Sequence, residues 1–369
     1  PLVHIQVVFG GGLLLETEAD NGLSKLMADL LTRGTARRPA AALAELIESR
    51  GGSLTAFSGQ NSLGLSARCL KEDAGLFLEL MADCLLHPAF EPDEVAKQKA
   101  VQLAAIRKQR ESPLFEAREA VRRALFPNHP YRLTPEGNAE AVAALTRAEL
   151  RACHARTVVG GNMVAAIFGD LLDSEAARLA EHHLAAIPAG LKPALIHDRP
   201  APELPQTIAL ARPREQTVLV MGFPGIDVKD PRRDALDLLC EALNGLSSDL
   251  IIRIRDERGL AYYAGFWQQP GVDPGYLAFY AGTRADAAET VEALILEEAR
   301  RMAGPGLRAE EFNRALEQVL ANHHERLQRN RDVALDCALH ELYGLGYAYV
   351  LDLERRMRSL TADDVRRAA

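Results

Sequence analysis

Two stretches of this chain repeat each other at one offset, and that constrains the fold more than any other feature. The segments "SLGLSARCLKEDAGLFLELMADCL" (62–85) and "GYLAFYAGTRADAAETVEALILEEA" (275–299) both pass from an alternating strand through a charged turn into an amphipathic helix. "FEPDEVAKQKAVQLAAIRKQRE" (90–111) and "LRAEEFNRALEQVLANHHERLQ" (307–328) both open on an acidic helix start and continue as long helices. The offset is about 215 residues in both pairs, so one register runs through both halves. Whatever this chain folds into, it builds it twice.

Between the halves lies "IPAGLKPALIHDRPAPELPQTIALARP", with Pro188, Pro193, Pro200, Pro202, Pro205 and Pro213. Proline fixes φ and removes a donor, so this stretch reads as an extended linker. The expected domains are residues 1–190 and 205–369, joined by a linker at 191–204. A chain of 369 residues exceeds what one core usually supports, which agrees with two domains. Strands and long helices mix without regular βαβ alternation. The expected class is therefore α+β, each domain a largely antiparallel or mixed sheet with helices on one face. A duplicated pair of this kind is expected to enclose a cleft for a ligand.

The formal net charge of −8, without a sustained basic tract, argues against nucleic acid as a partner. No apolar run approaches the roughly 20 residues of a membrane span. Cys69, Cys84, Cys153, Cys240 and Cys337 are widely spaced in apolar surroundings and read as free core thiols, not a disulfide framework. His182–His183 and His323–His324 are adjacent and diverge on a helix; His340–Glu341 begins no HExxH, because Gly344 fills its last position. His129 precedes Pro130 in a turn and reads as structural, while His4, His87, His154 and His197 stand alone. The chain begins "PLVHIQVVFG", at a strand, without a signal-peptide pattern; the expectation is a soluble chain whose compartment stays open between bacterial cytoplasm and periplasm.

Five pieces in order resemble the M16 family of metallopeptidases, which includes pitrilysin, insulin-degrading enzyme and the mitochondrial processing peptidases. They are "VHIQVVFGGG"; "GLSKLMADLLTRGT"; "IESRGGSLTAFSGQNSLGLSARCL"; "LFPNHPYRLTPEGNAEAVAALT"; and "VVGGNMVAAIFGD". The resemblance implies a LuxS/MPP-like fold shaped as a half-clamshell. It also implies a zinc helix at "GLSKLMADLLTRGT", where the family has His-x-x-Glu-His, two ligands flanking the general base. Here those positions hold Lys25, Ala28 and Asp29, and Ala105 stands where the second helix supplies a third, acidic ligand. The metal site is thus degenerate, and this chain is expected to bind no zinc itself. Lys25 and Asp29, four apart, read as a helix-surface ion pair. By the same resemblance Thr55, Ala56, Phe57 and Ser58 occupy the edge strand on which the family lays an extended peptide.

The second half keeps what the first has lost. In "IIRIRDERGLAYYAGF", Arg255 and Tyr262 fit the R-x-x-x-x-x-x-Y frame that faces the zinc in M16 enzymes. A cation and a phenol are suited to a developing oxyanion. From spacing alone, Arg255 could equally be a helix-end residue paired with a carboxylate, and Tyr262 a half-buried strand residue; Arg253 and Tyr263 are the nearest rivals. The resemblance implies the non-metal subunit of a heterodimeric zinc peptidase, with zinc on a homologous partner and a peptide as substrate. The alternatives are an inert docking subunit and, for the isolated chain, a homodimer.

Overall fold

The structure, a computed structural model, describes residues 2–195, 201–213, 216–245 and 248–369. The first half runs β1 (Leu2–Gly10), α1 (Leu23–Leu31), α2 (Ala40–Ser49), β2 (Ser53–Ser58), β3 (Ser62–Leu70), α3 (Ala74–Leu86), α4 (Pro92–Gln109), α5 (Pro113–Leu125), α6 (Ala139–Ala144), α7 (Arg147–Thr157), β4 (Met163–Gly169) and α8 (Asp173–Leu184). The second runs β5 (Gln216–Pro224), α9 (Arg233–Asn244), α10 (Asp249–Ile251), a π-helical turn (Ile252–Asp256), β6 (Ala261–Gln269), β7 (Tyr276–Arg284), α11 (Ala288–Ala303), α12 (Ala309–Leu327), α13 (Asn330–Leu342), α14 (Leu353–Arg358) and α15 (Ala362–Ala368). Both halves open with the same order: strand, two helices, two strands, three helices. The duplication read from the sequence is therefore a duplication of structure.

The strand orders agree as well. The first sheet is ordered β2-β3-β1-β4 and the second β5-β7-β6, and every pair is antiparallel. The fold is α+β, as expected. Alternation along the strands sorts the side chains onto two faces. In the first sheet Ile5, Val7, Leu63 and Leu65 face a core with Leu26 and Met27 of α1 and Phe77 and Met81 of α3. In the second, Phe266, Phe279 and Ala281 join Leu238 and Leu239 of α9 and Leu294 and Ile295 of α11.

Each sheet also carries one helix on its opposite face, beyond the single helical layer expected. Val8, Phe57, Val164 and Ala166 of the first sheet meet Ala338 and Leu342 of α13. Val220, Trp267 and Ala278 of the second meet Val121 and Leu125 of α5. The packing units consequently interleave along the chain. One comprises Pro1–Gln109, Leu133–Asp198 and Arg326–Val350; the other comprises Arg110–Arg132, Arg199–Glu325 and Leu351–Ala369. Boundaries at 190 and 205 follow the duplication in chain order but not these units, because α5 and α13 bury their apolar faces on the sheet of the other half. Within the linker, residues 201–204 and the following 205–213 form neither helix nor strand; Pro200 and His197 lie outside the described residues.

The start of α1 is held by a buried acid. Glu16 accepts hydrogen bonds from the Gly22 N–H (2.8 Å), the Ser24 N–H (2.7 Å) and the Asn21 amide (3.0 Å). These groups favour the anion, but burial dominates and pushes the Glu16 carboxyl up to about 7. An acid whose pKa rises on folding contributes most when protonated in both states, and that contribution is lost as pH climbs towards its folded pKa. The melting temperature of the wild type, measured against Glu16→Gln, is expected to fall as pH rises from about 4.5 to about 7. A difference that does not vary with pH across this window contradicts the assignment.

Candidate functional site

On α1 the positions that carry metal ligands in the resembled family hold other chemistry. The Lys25 ammonium donates to the Asp29 carboxylate one turn on, the ion pair read from the sequence. Ala28 is fully buried in the first core. Ala105 is exposed, and the α4 side chain that reaches the start of α1 is Gln102, whose Nε2 donates to the Gly22 carbonyl at 3.0 Å. The sole carboxylate on the ligand face of α1 is thus engaged by a cation, and a buried methyl group stands at the base position. Among the described residues no group of three or more His, Cys, Asp or Glu side chains could hold a metal ion. These residues do not fit zinc.

Thr55, Ala56, Phe57 and Ser58 lie on β2, an edge of the first sheet, where β2 pairs only with β3. Thr55 is exposed, while the Phe57 ring packs in the α13 cluster. Any contact of Phe57 with a peptide would therefore run through its main chain.

The approach to Arg255 is built from its hydrogen bonds upward. The Ser248 hydroxyl caps α10 by accepting from the Ile251 N–H at 3.3 Å. Helix α10 passes directly into the π-helical turn, and Ile254 anchors that turn in the second core with no exposed surface. Two sets of charges clamp it from outside. Arg253 pairs with Glu297 of α11 at 2.7 Å. Asp249 accepts from Arg308 at 2.7 Å, and the Arg308 guanidinium holds its carboxyl below the usual range. Arg308 and Arg301 in turn bind the buried Glu311, at 3.0 and 2.9 Å. Arg255, half-buried, stands in the fourth place of the π turn. Single π-helical turns are uncommon and recur at functional sites.

Gly259 ends the turn at φ +58°, its N–H bonding the Arg255 carbonyl at 3.0 Å. The chain then enters β6 through a β-bulge. Ala261 pairs with Thr283 and Tyr263 with Gly282, so Tyr262 is the extra residue with no cross-strand partner. It is 69% exposed. Bulges redirect a side chain and are frequent beside active sites. Its neighbour differs in every respect: the Tyr263 ring lies 6.2 Å from that of Tyr280, and burial raises its phenol pKa. Tyr263 is thus a packing residue and Tyr262 the bulged one, while Arg253, paired with Glu297, shares the π turn with Arg255. Nothing in the hydrophobic periodicity marks the π turn or the bulge.

The other histidines do not assemble a site. His129 is buried; its Nδ1 accepts from the Tyr131 N–H at 3.1 Å and its Nε2 lies 2.8 Å from Asp273. Both ring nitrogens are engaged, and Nε2 ties the chain after α5 to the β6–β7 turn. His154 reaches the Leu85 carbonyl at 2.8 Å, and burial lowers its pKa.

Two sequence profiles of one peptidase family match the chain. That described as "Insulinase (Peptidase family M16)" matches residues 1–139, and that described as "Peptidase M16 inactive domain" matches residues 144–319. The chain belongs to the M16 peptidase family. Among M16 relatives, an uncharacterized zinc protease of Bacillus subtilis is 25% identical over 375 residues, covering 96% of this chain and 90% of that one. An uncharacterized zinc protease of Mycobacterium leprae is 30% identical over 295 residues, covering 78% and 65%. The crystal structure of a peptidase M16 inactive domain from Pseudomonas fluorescens superposes with a TM-score of 0.91 at 26% identity, covering all of this chain and 89% of that one. A protease from Helicobacter pylori shares the fold alone, with a TM-score of 0.90 at 19% identity and coverage of 100% and 90%.

The left-handed conformation at Gly259 generates a direct expectation. Any side chain there costs about 1–2 kcal/mol. Gly259→Ala should lower the unfolding free energy in urea by that amount, although an added Cβ meets no atom within 4 Å. A neutral result would show that the turn relaxes without strain.

Proposed function

We propose that this chain is the non-metal subunit of a zinc-dependent M16 peptidase and acts on peptides only when paired with a homologous, zinc-bearing chain. The observation that carries the reading is the placement of Arg255 on a π turn and Tyr262 on a bulge, both anchored by the second core. The degenerate metal face of α1 supports the assignment of zinc to the partner. The matched profile for an inactive M16 domain agrees with a subunit that does not hydrolyse peptides by itself.

In this reading the partner contributes the metal and the base that activates water. Arg255 and Tyr262 donate hydrogen bonds to the carbonyl oxygen of the scissile peptide as negative charge develops on it. Donors aimed at that charge stabilise the transition state more than the bound peptide, so their loss lowers kcat more than it raises KM. The β2 edge at Thr55–Ser58 is proposed as a second peptide contact through main-chain hydrogen bonds.

Reconstitution tests the reading. Neither chain alone should cleave a fluorogenic peptide, and the mixture should. Tyr262→Phe keeps the ring and removes one donor, so kcat of the mixture should fall on the order of a hundredfold. Arg255→Ala should be at least as severe. Arg253→Ala, which breaks the pair with Glu297, should be mild. Full activity of the partner alone, or unchanged kcat in both mutants with association intact, would make this chain a docking subunit. Separately, metal-free chain reloaded with zinc and desalted should retain far less than one zinc per chain by elemental analysis. Stoichiometric retention contradicts the assignment of the metal to the partner.

A further inference from the structure

We propose that the face of the second sheet beside Tyr262 binds the large apolar side chains of an extended peptide, through a strip of rings formed by Tyr263, Tyr280 and Trp267. The proposal takes its place in peptide cleavage from the function proposed above, whereas the binding itself does not depend on that function.

The strip follows from the ladder. On this face β6 presents Tyr263, Gly265 and Trp267, and β7 sets Gly282, Tyr280 and Ala278 opposite them. Each ring thus faces a residue with a small side chain or none, and leans over it. A Cβ on Gly282 would lie 2.4 Å from the Tyr263 ring, and one on Gly265 would lie 2.5 Å from the Tyr280 hydroxyl. The rings make a continuous run: Tyr263 to Tyr280 is 6.2 Å between centroids, and Tyr280 to Trp267 is 4.8 Å at 30°. At the far end the Arg118 guanidinium of α5 stands 4.5 Å over the indole and fixes its orientation. Helix α5 covers the β5 side of the face through Val121 and Leu125. Tyr263, Tyr280 and Trp267 are half-buried, not sealed into the core.

The duplication supplies an internal control. Strands β3 and β7 are both nine residues long and hold equivalent places in their sheets. The first and fifth residues of β7 are Tyr276 and Tyr280; those of β3 are Ser62 and Ser66. Opposite the seventh residue stands Tyr263 in one sheet and Ser53 in the other. The same scaffold therefore folds with serines where this sheet has tyrosines, and the fold does not demand the rings.

An extended peptide is the occupant that fits. Half-buried Tyr and Trp beside an Arg is the composition of binding hot spots. The strip begins at the residue after Tyr262 and follows β6, which is an edge strand. From Tyr263 to Trp267 it spans about 13 Å, enough for side chains at alternate positions of one extended segment. A peptide whose carbonyl reaches Tyr262 would continue onto these rings.

The chain contains a single tryptophan, so Trp267 emission reports occupation of the strip. A ten-residue peptide with Phe or Leu at alternate positions should shift that emission saturably on the full chain, and its Ser-substituted analogue should not. Tyr280→Ser, which installs the residue found in the first sheet, should weaken binding about tenfold. Arg253→Ala, which breaks the pair with Glu297 and touches none of the rings, should leave binding unchanged, and because the measurement uses this chain alone its outcome is separate from catalysis by the pair. If Tyr280→Ser does not fold, Tyr263→Ser and the two peptides make the same comparison. Equal binding of apolar and Ser peptides, or no emission change at any concentration, overturns the proposal. So does an emission shift that tracks protein concentration alone, which would mark the face as a contact between copies of this chain.

Discussion

A sheet has two faces, and in this protein the helices that follow it in the duplicated order cover only one. The other face is closed by a single helix, α13 for the first sheet and α5 for the second. Leaving Val8, Phe57, Val220 and Ala278 in water would forfeit roughly 25 cal/mol for each Å² of apolar surface. That demand explains why the packing units interleave along the chain. It also sets the remaining freedom. One helix is narrower than a sheet, so α5 covers the β5 side and leaves the rings on β6 and β7 only half-buried. The second core beneath them fixes Ile254, and with it the turn that carries Arg255.

The two candidate functional regions are constrained in opposite ways. A helix does not need its metal ligands to remain a helix. On α1 Leu26, Met27 and Leu30 bury one face, Glu16 caps the start, and the half-buried positions 25 and 29 hold Lys25 and Asp29 as an ion pair. The scaffold of α1 thus stands without metal ligands. Arg255 and Tyr262 depend on irregular backbone instead. A π turn weakens the regular helical ladder, a bulge leaves one residue out of the strand pairing, and Gly259 must hold a left-handed conformation. None of these is the cheapest backbone available. The π turn persists because Ile254 in the core and the Asp249–Arg308–Glu311 and Arg253–Glu297 contacts over-determine it.

The sequence by itself determined the repeated architecture, since alternation in "SLGLSARCL" and "YLAFYAGTR" reports a period of two and needs no tertiary information. It also determined which chemistry is lacking on α1, because a missing imidazole is visible in the letters themselves. Its spacing singled out Arg255 and Tyr262 without separating them from Arg253 and Tyr263. For the tyrosines that separation belongs to the tertiary structure: only the β6–β7 register shows that Tyr262 is the bulged residue and Tyr263 a packed one. The exchange of α5 and α13, the buried Glu16 and the ring strip were likewise decided in three dimensions. Each depends on which elements meet, and residues as distant in sequence as Val8 and Ala338 leave no local pattern that records their contact.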